Sequence, residues 1–216
     1  MTGEETRAST EEKRSDGRSS LRENVEAVLV AVLLALFIRT FAVQAFKIPS
    51  GSMIPTLQIG DHILVNKFVY GLEVPLLRMP LFDGKDPARG DVIVFKYPED
   101  PQKDFIKRVV AVGGDVVDIQ NKKVYVNGEL LPDAYAIHTD ARMVPVRDNL
   151  GPIHVPEGKL FVLGDNRDNS HDSRFWKFVD MEAVRGKAFI IYWSWNDRPS
   201  GVTDRVRWGR IGRMLR

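Results

Sequence analysis

Residues 27–46 read AVLVAVLLALFIRTFAVQAF, and within them only Arg39, Thr40 and Gln44 interrupt an apolar run. As a helix, about 20 residues reach ~30 Å, the thickness of a bilayer's hydrocarbon layer. That length suits one crossing, with Arg39 near an interface where its guanidinium snorkels to headgroups. A buried core helix is one alternative, and a secretory leader cut after Ala45, with Val43 two positions before, is another. Leaders normally open with a short cationic stretch, whereas residues 1–24 are long and mix acids with bases, which favours a retained anchor. The same stretch has no aromatic residue and cannot bury a core, so it reads as a mobile tail. Lys13, Arg14, Arg18 and Arg22 precede the apolar run and only Lys47 closely follows it. The expected organisation is therefore a cytoplasmic tail over 1–24, an anchor over 25–46 and an outer domain over 47–216.

Beyond the apolar run the texture changes. Short β-rich runs, among them HILVNKFVYG, GDVIVFKYP, DFIKRVVAVGGDVVDI and GKAFIIYWSW, alternate with Gly, Pro and Asp turn signals, and Val126-Asn127-Gly128-Glu129 is a hairpin signal. The expected fold class is mainly β: an antiparallel β sandwich or open barrel rather than βαβ units. The turn-rich stretch from about 118 to 157 reads as a small subdomain inserted into it. With 31 Lys and Arg against 29 Asp and Glu, the net charge of +2 is too balanced for a surface built to grip nucleic acid. Cysteine is absent, which excludes disulfides, thiolate metal sites and a cysteine nucleophile. Near the C-terminus Arg198, Arg205, Arg207, Arg210, Arg213 and Arg216 face only Asp197 and Asp204, with Trp208 among them. Anionic headgroups and plain solvent both suit that end.

Three segments carry candidate chemistry. In KIPSGSMIPTL, Ser50 and Ser52 flank Gly51 between two prolines, a rigid turn into which another chain can approach. By itself this is a loop, since a serine nucleophile also needs a base. In DFIKRVVAV, strand alternation puts Phe105, Lys107, Val109 and Ala111 on one face and Ile106, Arg108 and Val110 on the other. A lysine in that company is desolvated and its pKa falls, although a strand-end lysine reaching water fits the same segment. The third segment, GDNRDNSHDSRFW over 164–176, is dense in polar groups. It fails the EF-hand pattern, because from Asp168 the required glycine is Ser173 and the terminal glutamate is Val179. His62, His138, His154 and His171 form no HExxH, and there is no GxGxxG or Walker motif, so neither a metal nor a nucleotide is expected. A Ser52, His171, Asp172 triad is weak, because adjacent His and Asp on an extended segment point apart.

Taken together, PSGSMIPTL, DFIKRVVAVGGD and GDNRDNSHDSRFW, in that order after an apolar segment, resemble the sequence boxes of bacterial type I signal peptidases, membrane-bound Ser-Lys endopeptidases. The resemblance implies that Ser52 is the nucleophile and Lys107 its general base. Ser50 matches the residue whose hydroxyl joins the Ser52 N–H in the oxyanion hole, and Ser170 the serine that orients the lysine amine. Asp172 and Arg174 match a structural ion pair, and Arg108 and Gly164 stand at supporting positions. Ile48, Met53, Leu57 and Ile106 match the lining of shallow pockets for small side chains. Lys177 departs from the pattern, since the family often has glycine after the aromatic pair.

The resemblance further implies removal of signal peptides from preproteins after Ala-x-Ala. It places the protein as a cofactor-free, metal-free monomer in the bacterial cytoplasmic membrane, with the catalytic domain on the outer face. Two other readings compete. A self-cleaving Ser-Lys repressor would need a DNA-binding head, which the first 46 residues lack. An anchored β domain could instead dock extended peptides at a strand edge without cutting them.

Overall fold

The structure, a computed structural model, describes residues 22–33, 43–70, 72–73, 80–82, 84–196, 199 and 201–215. Contacts divide the chain into two units, Met1–Ala42 and Val43–Arg216. In the first unit the described residues are a helix over 22–33, whose Val28, Leu29, Val30 and Leu33 side chains are 56–64% exposed. Among the described residues no helix is long and apolar enough to cross a membrane. Most of the expected tail, and positions 34–42 of the expected anchor, lie outside the described residues.

The lower end of that anchor needs correction. Val43–Lys47 is a strand, β1, paired antiparallel from Val43↔Asn66 to Lys47↔His62 with β2 (Asp61–Asn66). Hydropathy could not place this boundary, because Val43, Ala45 and Phe46 are as apolar as the residues before them. The strand is set instead by Phe46 packing against a core and by the backbone pairing with β2.

The remaining strands are β3 (Leu72–Glu73), β4 (Pro80–Phe82), β5 (Val92–Tyr97), β6 (Asp100–Val112), β7 (Val116–Gln120), β8 (Lys123–Val126), β9 (Glu129–Leu130), β10 (Leu150–His154), β11 (Lys159–Leu163), β12 (Val179–Asp180) and β13 (Val184–Ser194). Seven form one antiparallel sheet in the order β1-β2-β13-β5-β6-β11-β12. Four form a second sheet, β10-β7-β8-β9, and β3 and β4 make a separate ribbon. The mainly β, antiparallel expectation holds. Along β2 the residues Asp61, Ile63 and Val65 are buried while His62, Leu64 and Asn66 are half-buried, the period-2 signature of a strand with one face on a core.

Three apolar clusters organise the β unit. One joins the segment after β1 to the sheet through Ile48, Met53, Leu57, Ile63, Val94 and Ile191. A second packs Ile93, Phe95, Tyr97, Val109 and Trp176. The third joins Val110, Ala111, Phe161 and Leu163 of the large sheet to Val117, Ile119, Val124 and Val126 of the small one. The small sheet, which takes up much of the expected insertion, thus shares its core with the large sheet.

Within β6 the ideal alternation fails after Val109. Phe161 pairs with Ala111 but Val162 pairs with Val109, a bulge that leaves Val110 as the extra residue. As a result Val110 and Ala111 enter the same cluster, while Val109 and Val112 pack with Phe105 in another. Ala111 therefore does not share the Lys107 face as expected.

The polar C-terminus is partly structural. Arg210 Nε donates to Asp61 Oδ1 at 3.0 Å, Arg210 Nη2 to the Thr56 carbonyl at 2.9 Å, and Ser194 Oγ to Asp61 Oδ1 at 2.7 Å. Burial alone would raise the Asp61 carboxyl, but hydrogen bonds from Arg210, the Gln58 N–H and Ser194 outweigh it and hold the group below its ordinary range. Leu215 beyond it is 7% exposed in the first cluster.

A one-turn helix, Ser173–Trp176, ends at Lys177 with φ 72° and ψ −102°. A side chain is strained there and glycine is not. Lys177→Gly is expected to stabilise the fold by ~1 kcal/mol, the relief of strain exceeding the added chain entropy, and to raise Tm by ~2–4 °C in a melt followed by circular dichroism.

Candidate active site

Two prolines and a run of local backbone bonds shape the segment carrying Ser52. Ile54 N–H donates to the Gly51 carbonyl at 3.3 Å and Leu57 N–H to the Met53 carbonyl at 2.8 Å, a tight turn that buries Met53 and Leu57 and leaves Ser52 8% exposed. Lys107 arrives from β6, whose register sets Lys107 opposite Ile93. Its Nζ lies 2.8 Å from Ser52 Oγ and donates to the Ile106 carbonyl at 3.0 Å. Ser50 Oγ lies 3.5 Å from Ser52 Oγ, and no hydrogen bond from the Ser52 N–H occurs among the described residues.

Lys107 is 4% exposed, with its amine 5.5 Å from the centre of the Phe105 ring. Burial pushes its pKa down to about 8. The negative charges of Asp172 and Asp165 pull the other way, and Arg174 adds to the lowering. The amine is thus far easier to deprotonate than an ordinary lysine, with the neutral form predominating above about 8. The same burial costs stability. Between about 8 and the ordinary 10.5 the unfolded chain binds a proton that the folded chain does not. Wild type accordingly gains ~3 kcal/mol as pH rises through that window and loses it as pH falls to the folded value. Lys107→Met lacks the dependence. In urea unfolding its stability advantage is expected to be constant below pH 8 and to shrink by ~3 kcal/mol towards pH 10.5.

The third segment wraps the back of the pair. Asp172 accepts from Arg174 Nε and Nη2, both at 2.8 Å, and from the Gly164 N–H at 3.1 Å. Arg174 also donates to the Arg147 and Arg167 carbonyls at 3.1 and 2.6 Å. Arg108 reaches Asp165 through Nε and Nη2, both at 2.8 Å, and the Gly90 carbonyl at 2.7 Å, with its guanidinium 4.0 Å from the Tyr135 ring centre. Gly164 touches the Ser52 loop so closely that an added Cβ would sit 2.5 Å from the Ser52 carbonyl oxygen.

This pairing of a buried, weakly basic amine with a serine hydroxyl is peptidase equipment. Residues 21–193 match the family described as Signal peptidase, peptidase S26. The chain belongs to that family. It is a serine endopeptidase of the signal peptidase type. Signal peptidase I of Pseudomonas aeruginosa is 39% identical over 84% of this chain and 75% of its own. Signal peptidase I of Aquifex aeolicus is 38% identical over 81% and 85%, and probable signal peptidase I-2 of Synechocystis is 38% identical over 89% and 83%. A crystal structure of a signal peptidase I from Enterococcus faecalis matches 48% of this chain and 97% of its own at 31% identity, with a TM-score of 0.41.

Several expectations about this family site meet the structure differently. Ser50, Ser52 and Lys107 come together, as do Asp172 with Arg174. Ser170 does not bond the lysine: its Oγ is buried with no partner, beside Gly164. Ile48, Met53 and Leu57 are 0–2% exposed, so they are core side chains here rather than an open lining. Their carbon surface packs on the sheet, and within that cluster Ile106 and Phe46 remain only partly buried. The Ser52, His171, Asp172 triad is not assembled, since His171 Nε2 lies 3.1 Å from Tyr97 Oη and Asp172 is taken by Arg174.

Sequence reading missed Thr56, Asp133, Asp165, Asn166 and Arg167. Thr56 Oγ1 donates to Asp165, and Asn166 binds the Ser52 loop through its N–H and its side chain. Their polar density was visible, but partners separated by more than a hundred positions, as Thr56 and Asp165 are, leave no local pattern.

Proposed function

We propose that this signal peptidase cleaves preproteins with a Ser52–Lys107 dyad. The neutral Lys107 amine takes the Ser52 Oγ proton as the hydroxyl oxygen attacks the scissile carbonyl. The resulting oxyanion is held by the Ser52 N–H and the Ser50 hydroxyl. Collapse passes the lysine's proton to the leaving amine and leaves an ester on Ser52, which water then hydrolyses. The observation that carries this reading is the 2.8 Å separation between Nζ and Oγ at a buried site. Arg108, Gly164, Ser170, Asp172 and Arg174 support the dyad.

The substrate is an exported preprotein cut after Ala-x-Ala, and of the four pocket positions the partly buried Ile106 is the one left to limit side-chain size. The protein acts as a monomer held at the outer face of a bacterial cytoplasmic membrane by the apolar residues upstream of β1, with its tail inside. Apolar side chains exposed along the helix over 22–33 support a lipid surrounding. Family membership leaves the repressor and the non-cutting peptide-binder without support.

The test is a purified secretory precursor incubated with the protein in detergent, with the product ends mapped by mass spectrometry. A single cut after a small residue is expected, and it should be lost when that alanine is replaced by phenylalanine. Cleavage after bulky residues would overturn the specificity.

A further inference from the structure

Residues 164–167 lie between two other segments and alternate between them. Asn166 N–H donates to the Ser52 carbonyl at 3.0 Å, and its side-chain amide to the Gly51 carbonyl at 3.1 Å. Its neighbours turn the other way: Ile137 N–H donates to the Asp165 carbonyl at 2.8 Å, and Arg167 N–H donates to the Ile137 carbonyl at 3.0 Å. The nucleophile loop and the segment around Ile137 therefore grip opposite edges of one short strip that leads into a 3-10 turn at Arg167. Ile137 belongs to the turn-rich stretch between β9 and β10, to which the proposed chemistry assigns no role.

Side chains reinforce these backbone bonds with a charge pair whose arginine is buried and whose carboxylate is partly exposed. Arg167 is 2% exposed and heads the fully buried side chains by volume. Its Nη1 and Nη2 bond the two carboxylate oxygens of Asp133, Nη2 at 2.7 Å, while Nε donates to the Gly164 carbonyl at 3.2 Å. A turn closed by the Ala136 N–H on the Asp133 carbonyl, at 3.1 Å, leads from Asp133 to Ile137. Gly164 in turn abuts the Ser52 carbonyl. Without the carboxylate the guanidinium is buried and uncompensated. It then moves towards water and draws the Gly164 carbonyl with it.

Resting on the Ser52–Lys107 reading, we propose that Asp133 is a positioning residue for the nucleophile, acting through Arg167 and the 164–167 strip on the placement of Ser52. The turn-rich stretch is then a brace for the active site rather than a passive decoration.

Asp133→Asn, Asp133→Glu, Ser52→Ala and Asp180→Asn are compared on a precursor peptide, with kcat and KM corrected for the folded fraction at the assay temperature. Asp133→Asn is expected to lower kcat ~10- to 100-fold with KM changed less than ~3-fold, the signature of a misplaced reacting group. Asp133→Glu falls between it and wild type. The pH midpoint of kcat/KM stays in place, because the burial of Lys107 and the charges of Asp172, Asp165 and Arg174 that set it are retained. Asp180→Asn, which breaks only the exposed pair with Lys159, leaves kcat unchanged. Wild-type kcat per folded molecule in Asp133→Asn overturns the proposal, whatever its Tm. If Asp133→Asn does not fold, a folded Asp133→Glu with reduced kcat supports the proposal and one with wild-type kcat overturns it. Ser52→Ala separates the two ideas: cleavage by Ser52→Ala defeats the dyad, whereas a dead Ser52→Ala beside a normal Asp133→Asn defeats only the positioning role.

Discussion

Ser52→Ala and Lys107→Met are each expected to abolish precursor cleavage, a loss of ~1,000-fold or more in kcat, while both proteins stay folded. The serine supplies the atom that attacks, and a neutral serine hydroxyl is a poor nucleophile until a base removes its proton. Lys107 is the basic group beside it, and its amine lies 2.8 Å from the hydroxyl oxygen. Because the two act as one unit, the double variant should be no worse than either single one. Methionine keeps the volume of the lysine stem and removes the amine, so the Lys107 variant should unfold at higher denaturant at neutral pH, which separates loss of chemistry from loss of fold. Wild-type kcat/KM should climb with pH and level off above about 8, where the free amine becomes neutral. A profile flat from pH 6 to 9 would contradict the role given to Lys107.

The second large effect is Gly164→Ala. A Cβ there would lie 2.3 Å from Ser170 Oγ, 2.6 Å from Ser170 Cβ and 2.5 Å from the Ser52 carbonyl oxygen. The hydroxyl can rotate away, but the other two atoms cannot. Ser170 Cβ is fixed by its backbone, and the Ser52 carbonyl is fixed by the Asn166 N–H. The nucleophile loop must therefore retreat by ~1 Å to reach ordinary contact, a displacement that costs ~100-fold in rate where reacting atoms must be aligned. Overpacking should also cost ~1–3 kcal/mol of stability. A steady-state assay with a thermal melt checks both. Adding Ser170→Ala should not restore the rate, since the clash with the Ser52 carbonyl persists. An active Gly164→Ala enzyme would show that the contact is not limiting.

Strand content and the chemical partners were legible locally because both depend on short-range pattern. The β-rich runs HILVN and VIVFK, bounded by turn signals, announce strands, and SGSM, FIKR and DNSHDSR each carry a reactive type in a recognisable setting. The bulge at Val110 was not legible, since it arises from the fit between β6 and β11 rather than from either alone. Nor was the strand at Val43–Lys47, which depends on having β2 to pair with. The same holds for the supporting charges. Asp133 with Arg167, Asp165 with Arg108 and Asp61 with Arg210 look like ordinary surface residues in the sequence, and each pair closes only when distant segments meet.

By itself, then, the order of residues determined most of the longer strands and which hydroxyl and which amine are available to react, because backbone pleating and side-chain chemistry are local properties. Tertiary structure alone decided that the amine is dehydrated and lies within reach of the hydroxyl, and that the loop holding the hydroxyl is clamped from behind by residues 164–174. A pKa pushed down to about 8 needs water excluded from every side at once. That exclusion is a property of the packed molecule, not of any one segment.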